Sequence, residues 1–211
     1  MDQILSFLVD QAEQANRASQ INREIYAEFL ALLLAQMKGM DLKGMDLKGM
    51  DLKGSVETKK LGKETLDFAE VEVLAFHLSL QLQALEARAK TLLFWQPSDL
   101  LVIQWPNSTV KLYLLANLSQ MVPLNKKTPT QLVLVYPTVY PLPSESCAPE
   151  LLKITSLPFI THRSASYYSL ALLCLRLLKP LDLAAINGTK LFYFLERCLH
   201  PDPKERMCLY L

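Results

Sequence analysis

The sequence predicts a mainly α-helical fold that contains one small β-hairpin. Residues 2–38, residues 66–90 and the stretch after Pro158 carry the spacing of apolar side chains that is typical of helices. Between the last two segments, two short apolar runs flank the turn-forming pair Pro106-Asn107, which indicates the hairpin. The 211 residues, 51% of them hydrophobic, are enough to bury one good core.

The charge balance restricts the classes of partner that we expect. The formal net charge is +1, so the chain lacks the excess of Lys and Arg that attracts nucleic acid or an acidic membrane surface. No uninterrupted apolar run approaches the roughly 18 to 20 residues that span a bilayer. We therefore expect other proteins as partners, with no nucleic acid and no membrane insertion.

The N-terminus and the cysteines indicate a cytoplasmic setting. The chain begins Met1-Asp2-Gln3, without the basic start and small-residue cleavage site of a signal peptide. The four cysteines are scattered without the paired spacing of metal ligands: Cys147, Cys174, Cys198 and Cys208. We expect reduced, mostly buried thiols, and neither a metal nor a cofactor.

Residues 1–38 form the first predicted unit, a long amphipathic or coiled-coil helix without Pro or Gly. Alternating spacings of four and three residues define a seam that is apolar at seven of nine positions. The seam supplies the candidate protein-interface residues, which are Leu8, Ala15, Asn22, Ile25, Phe29 and Leu32. Two interpretations stay open: a seam that joins another protein or a second copy of this chain, and a helix that packs on its own domain.

Residues 39–62 form a predicted linker. The unit Met-Asp-Leu-Lys-Gly occurs three times in succession, at residues 40–44, 45–49 and 50–54. A glycine at every fifth position disfavours a helix by about 1 kcal/mol per glycine. A flexible or extended linker is the main interpretation, and an extended strip whose Met and Leu side chains lie along a partner surface is the alternative.

Residues 63–211 form the second structured unit. Thr65 is the expected N-cap of the helix at 66–90. The further elements that the pattern predicts are strands at 100–103 and 110–114, an apolar strand at 132–136, a nearly all-apolar helix from Ser164 or Ser166 to Leu178, and a helix at 190–199.

Several short motifs follow one another within this unit. They are Gln-Pro-Ser-Asp-Leu-Leu-Val at 96–102, Ser-Thr-Val-Lys-Leu at 108–112, Ala-Pro-Glu at 148–150 and the segment 195–206, which ends at Arg206. Their order resembles that of the C-terminal lobe of protein kinases, and no N-terminal lobe accompanies it. The resemblance implies a kinase C-lobe-like helical domain in which Glu150 and Arg206 form a structural ion pair.

The catalytic groups of that family are missing from the matching positions. Leu92-Leu93-Phe94 stand where the family has His-Arg-Asp, and Leu114-Leu115-Ala116 stand where it has Asp-Phe-Gly. Asp99 replaces the metal-binding Asn, and Ser166 replaces the Asp that begins the central helix. The resemblance therefore implies a protein that is not an enzyme, with no catalytic, cofactor-binding or metal-binding residues.

We expect a catalytically inactive, kinase-like scaffold or interaction protein that is a structural subunit of a larger assembly, with a cytoskeletal assembly as one setting. Two alternatives stay open. One is an all-helical adaptor in which Ala-Pro-Glu is accidental. The other is a nucleotide-binding protein of unusual design.

Overall fold

The computed structural model describes residues 25, 27–31, 57–62, 64–104, 111–135 and 142–206. Those residues form a mixed α and β structure, so the prediction of a mainly α-helical, kinase C-lobe-like domain with one hairpin is wrong. Seven strands make up three small antiparallel sheets. Several strands have only three or four residues, too few for their apolar alternation to be recognised.

After the helical residues 25 and 27–31, ten strands and helices follow one another in the described chain. They are β1 (Glu57–Lys60), α1 (Phe68–Ala87), β2 (Lys90–Leu92), β3 (Leu100–Gln104), β4 (Lys111–Leu115), β5 (Met121–Pro123), β6 (Gln131–Leu134), β7 (Phe159–His162), α2 (Ala165–Leu177) and α3 (Lys190–Cys198). Short 3-10 turns lie at Pro97–Asp99, Leu151–Lys153 and Pro180–Asp182.

The largest sheet contains the hairpin that the sequence predicts, with a further strand added to it. β3 pairs with β4, so that Val102 lies opposite Tyr113. β1 pairs antiparallel with the other edge of β3, and Lys59 lies opposite Val102. Because β1 falls within residues 39–62, part of the segment assigned to the linker is a strand of the folded unit.

The two smaller sheets pair segments that are distant in sequence. β2 pairs with β5, which places Thr91 opposite Val122. β6 pairs with β7, which places Val133 opposite Ile160. These sheets connect the residues before and after the hairpin to the start of α2.

Helix α1 begins at a capping box that differs from the predicted cap. The Asp67 carboxylate accepts the Glu70 N–H at 2.9 Å, and the Glu70 carboxylate accepts the Asp67 N–H at 3.1 Å. Thr65 is therefore not the N-cap; the Asp-x-x-Glu spacing satisfies two backbone donors reciprocally, and Thr65 lacks that partner. The predicted apolar face, Leu74, Leu78, Leu82 and Leu85, is buried.

Two clusters of buried side chains surround α2. The larger cluster joins α1, the hairpin, α2 and α3, and it contains Trp95 and Tyr113. The smaller cluster joins Phe94, β6 and the segment 147–151 to the first turn of α2. This position explains why α2 is apolar nearly all round.

Polar groups on α1 attach this helix to the backbone of β4. Gln81 donates to the Tyr113 carbonyl at 2.9 Å and accepts the Leu115 N–H at 2.8 Å. The Tyr113 N–H donates to His77 Nδ1 at 3.4 Å. His77 is buried, and burial lowers its pKa from 6.5 to about 4, so the imidazole is neutral at pH 7.

Acidification is expected to destabilise the protein through His77. Because the folded-state pKa lies below the unfolded value, the unfolded state takes up the proton first, and stability is lost as the pH falls from about 6.5 toward 4. From pH 7 to pH 5 the free energy of unfolding should fall by about 2 kcal/mol more in the wild type than in His77→Gln, which does not titrate.

Denaturant unfolding at the two pH values measures this difference. Gln83→Ala is the matched control, because Gln83 is exposed on α1 and cannot titrate, so this variant should keep the pH dependence of the wild type. If His77→Gln loses as much stability on acidification as the wild type, the neutral buried imidazole is not the cause.

Candidate functional site

The central feature of the candidate site is a bidentate ion pair. Arg206 Nη1 lies 2.6 Å from Glu150 Oε1, and Arg206 Nη2 lies 3.0 Å from Glu150 Oε2. The Arg206 side chain is 0% exposed and the Glu150 side chain 16%. Two parallel charge-assisted hydrogen bonds hold a planar guanidinium in one orientation, which a lysine ammonium could not match.

The surroundings of Arg206 provide partners for its Nε donor and for the face of its guanidinium. Arg206 Nε donates to the His200 carbonyl at 2.7 Å. The Tyr168 ring centroid lies 4.6 Å from Arg206 Cζ, within range of a cation–π interaction. The ion pair therefore joins three segments of the chain: the loop 200–206, the segment 148–151 and the first turn of α2.

His162 lies beside this ion pair at the end of β7. Burial lowers its pKa most, and the cations Arg163 and Arg206 lower it further. The Glu150 carboxylate raises the pKa, and Lys204 has the smallest lowering effect. His162 Nδ1 lies 2.8 Å from Ser164 Oγ, and Ser164 Oγ donates to the Pro203 carbonyl at 2.6 Å. A neutral His162 thus connects β7 to the loop that carries Arg206.

Ser166 on α2 is the centre of a second buried network. Its hydroxyl donates to the Leu92 carbonyl and accepts the Thr91 hydroxyl at 2.6 Å. Its carbonyl accepts the Trp95 indole N–H at 3.0 Å. The network fastens α2 to the segment 91–95 without a charge, and an ionised aspartate at this position would have no proton for the Leu92 carbonyl.

The positions that match the kinase base and metal-binding carboxylate are buried and apolar. Leu92, Leu93 and Phe94 are at most 4% exposed. Leu114 and Leu115 lie on β4, and both are fully enclosed in the larger cluster. None of these side chains can accept a proton or bind a cation.

Asp99 has a structural environment. Its carboxylate accepts the Asn117 amide at 2.7 Å and the Gln96 N–H at 3.0 Å, and its carbonyl accepts the Ala116 N–H at 2.8 Å. Burial raises the pKa of Asp99, and the hydrogen bond from Asn117 opposes that shift. These bonds fix the chain that enters β3 to the chain that leaves β4.

The described residues offer few groups for metal binding or thiol chemistry. Among the residues that the structure describes, no group of three or more His, Cys, Asp or Glu side chains is placed to hold a metal ion. Cys147, Cys174 and Cys198 are buried, and none of the three is in a disulfide. Burial raises the pKa of Cys147 and of Cys174 to about 12, so both thiols stay protonated near neutral pH. Cys208 lies outside the described residues.

The candidate interface residues of the N-terminal helix are only partly described. Ile25 and Phe29 belong to helical residues and are buried in the larger core cluster, together with Leu30. Glu28 also forms an ion pair with Arg88 at 2.5 Å. The other four candidates, Leu8, Ala15, Asn22 and Leu32, lie outside the described residues. Where it is described, this helix packs against the chain's own core.

Sequence reasoning missed the roles of Trp95, Thr91 and Tyr168. A tryptophan in an apolar run predicts a hydrogen-bond acceptor near its indole N–H, because that donor is seldom left unpaired when it is buried. The sequence does not say which carbonyl accepts it. In the sequence nothing distinguishes Tyr168 from the neighbouring tyrosines, because its contact with Arg206 arises from the tertiary fold.

Comparisons with known proteins add no relative to these observations. No family model, no curated protein and no solved structure matches the chain. In the described residues, no helix combines the length and the apolar character that crossing a membrane requires.

Removing the acid of the ion pair is expected to destabilise the fold strongly. Glu150→Ala leaves the buried Arg206 guanidinium without its counter-charge, and the free energy of unfolding should fall by about 3 kcal/mol. Chemical denaturation at neutral pH measures the loss. Glu196→Ala, which removes an exposed carboxylate from α3, should change stability by less than about 0.5 kcal/mol. A loss for Glu150→Ala no larger than that of the control would contradict the structural role of the pair.

Replacement of Ser166 tests the uncharged network on α2. Ser166→Ala leaves the Leu92 carbonyl and the Thr91 hydroxyl without this partner, at an expected cost of about 1 to 3 kcal/mol. Ser166→Asp should cost more, because a buried carboxylate would face a carbonyl oxygen. Thermal and denaturant unfolding of both variants give the ranking. If Ser166→Asp is as stable as the wild type, the site accepts an anion and the hydroxyl is not required.

Proposed function

We propose that this chain is a catalytically inactive interaction protein that serves as a structural subunit of a larger assembly. The Glu150–Arg206 contact carries the proposal, because this buried, bidentate pair joins three segments of the fold and so has a structural role. Phosphoryl transfer depends on a positioned base and metal-bound phosphates. The corresponding positions hold enclosed leucine and phenylalanine side chains.

A relationship to the protein kinase family is part of this proposal. It rests on the order of the motifs and on the contact between Glu150 and Arg206. The functional proposal does not require that ancestry, since fold likeness alone does not assign an activity. It rests on what the side chains at the site can do.

The proposed partners are other proteins within a multi-subunit complex in the cytoplasm, with a cytoskeletal assembly as one setting. The near-neutral net charge favours neither nucleic acid nor an anionic lipid surface. Several large apolar side chains are exposed, among them Leu181 at 92% and Ile160 at 56%. Such side chains are the usual contacts of protein interfaces when they lie close together.

A native purification is expected to recover the chain in a complex with at least one other protein at fixed stoichiometry. The 23.9 kDa chain should then elute as part of a larger particle whose mass light scattering measures, and crosslinking with mass spectrometry should identify the neighbours. The matched control is the Glu150→Ala variant, which should lose the complex if the folded site organises the binding surface.

Addition of nucleotide is not expected to stabilise the purified protein. Addition of ATP and magnesium should shift the melting temperature of the purified chain by less than about 1 °C, because a ligand stabilises only the state that it binds. An active protein kinase measured under identical conditions provides the positive control. A saturable stabilisation that depends on magnesium would favour the nucleotide-binding alternative and overturn the proposal.

A further inference from the structure

The strand β7 presents an open sheet edge. It pairs with β6 alone in a two-stranded sheet, so its other side has no strand neighbour in the part of the chain that the structure describes. The Arg163 N–H donates to the Thr130 carbonyl at 2.8 Å, which fixes the hydrogen-bonded pairs of this ladder. Because those pairs alternate along antiparallel strands, the backbone groups of Ile160 and His162 point away from β6.

The face of this sheet that carries Ile160 holds exposed aliphatic side chains together with the polar side chains of Gln131 and His162. Val133 lies opposite Ile160 and therefore on the same face, and the next residue on that face of the chain is Val135. Ile160 is 56% exposed and Val135 is 52% exposed. Leu157, two residues before β7, is exposed as well. Val133 and Val135 lie on the β6 side of β7, so Ile160 is the exposed aliphatic side chain of the edge strand itself.

The strand β7 carries no Lys, Arg, Asp or Glu, and two arginines next to it are held in ion pairs. β7 reads Phe-Ile-Thr-His and contains no Lys, Asp, Glu or Pro, the residues that commonly protect exposed edges. The adjacent Arg163 pairs with Glu86 at 3.0 Å, and Arg206 pairs with Glu150. The edge strand β1, by contrast, carries Glu57, Lys59 and Lys60. Lys204, a third cation close to His162, belongs to the loop 200–206 and not to the strand. Two copies of β7 can therefore pair without a Lys, Arg, Asp or Glu side chain in either strand.

We propose that β7 docks antiparallel against β7 of a second copy of this chain. A two-fold axis through Thr161 pairs Ile160 with the partner subunit's His162, and His162 with the partner subunit's Ile160. Each of these two pairs exchanges two backbone hydrogen bonds, which uses the outward-facing groups of both residues. The result is a continuous four-stranded sheet in the order β6, β7, β7, β6, with an isologous interface.

The small size of this contact sets its strength. A stable dimer interface buries about 1,200 to 2,000 Å² in total, and a pair of four-residue strands supplies only part of that area. On the exposed face, Ile160 adds the apolar part of the contact. The dimer is therefore weak and depends on protein concentration, as suits a contact that forms within an assembly where the chain is locally concentrated. The inference concerns self-association alone, so it stands or falls apart from the proposed lack of catalysis.

Sedimentation velocity of the full-length chain over a concentration series tests the proposal. The wild type should pass reversibly from monomer to dimer. Ile160→Pro removes an outward N–H and no hydrogen bond of the β6–β7 ladder, and edge strands tolerate proline at such positions. Ile160→Lys places two like charges beside the axis. Each variant should raise the dissociation constant at least about tenfold, which corresponds to about 1.4 kcal/mol.

Leu181→Lys is the matched control, because it makes the same change at a 92% exposed leucine in the turn Pro180–Asp182, outside the sheet. It should dimerise like the wild type. Circular dichroism and thermal unfolding of every variant verify that the fold is retained. In a Thr161→Cys variant, oxidation should yield a disulfide between the two introduced cysteines of neighbouring copies, which peptide mapping by mass spectrometry identifies.

Other occupants of this edge give different results. A chain that stays monomeric throughout the series overturns the proposal. So does a dimer that persists in both Ile160 variants and is lost in Leu8→Glu, since that outcome assigns self-association to the seam of the N-terminal helix. A dimer that is lost only after deletion of residues 40–54 assigns the contact to the pentapeptide repeats and equally overturns it.

Discussion

The buried ion pair between Glu150 and Arg206 is the constraint on which the second half of the molecule depends. A guanidinium that is fully removed from water costs several kcal/mol unless a carboxylate and hydrogen-bond acceptors surround it. Glu150, the His200 carbonyl and the Tyr168 ring provide those partners from three separate segments. The pair forms only when the loop 200–206 and the segment 148–151 are both in place, and the Tyr168 ring of α2 covers the guanidinium. Loss of either charged segment leaves the other with an uncompensated charge.

Helix α2 complements this constraint with uncharged contacts. Ser166 and Ser169 donate to the Leu92 and Leu93 carbonyls, and Ser164 donates to the Pro203 carbonyl. Hydroxyl groups suit these positions because each supplies one proton to a main-chain oxygen and needs no counter-ion. The region next to β2 is thus held by satisfied, neutral hydrogen bonds. A site that takes up a proton or binds a phosphate needs ionisable or charged side chains. Leu92, Leu93 and Phe94 have neither.

Local pattern could predict the long periodic elements and little else, whereas the acid and base of the ion pair were indicated by the resemblance of the motif order to protein kinases. The three helices and the β3–β4 hairpin follow from apolar spacing, whereas β2 and β5 have three residues each and the polar β1 has no apolar alternation. The count of strands, and with it the fold class, therefore depended on tertiary pairing. At the site, Ala-Pro-Glu and a distant arginine indicated the pair that the structure has in bidentate contact. The other partners of Arg206 include backbone carbonyls. Every residue has one, so the sequence does not show which of them accepts a hydrogen bond from Arg206.

The open edge of β7 is connected to the ion pair by core packing at one end and by hydrogen bonds at the other. Phe159 packs against the smaller core cluster, which contains Ala148 and Leu151 on either side of Glu150. At the other end of the strand, His162 contacts Ser164, which bonds to the loop that carries Arg206. Both ends of β7 are thus fixed to the segments that the ion pair holds together. An edge strand binds a second strand well only if its backbone is already straight and ordered, because ordering four residues on binding costs several kcal/mol. The ion pair, which lies outside the edge itself, therefore supplies the preorganisation that the edge needs for docking.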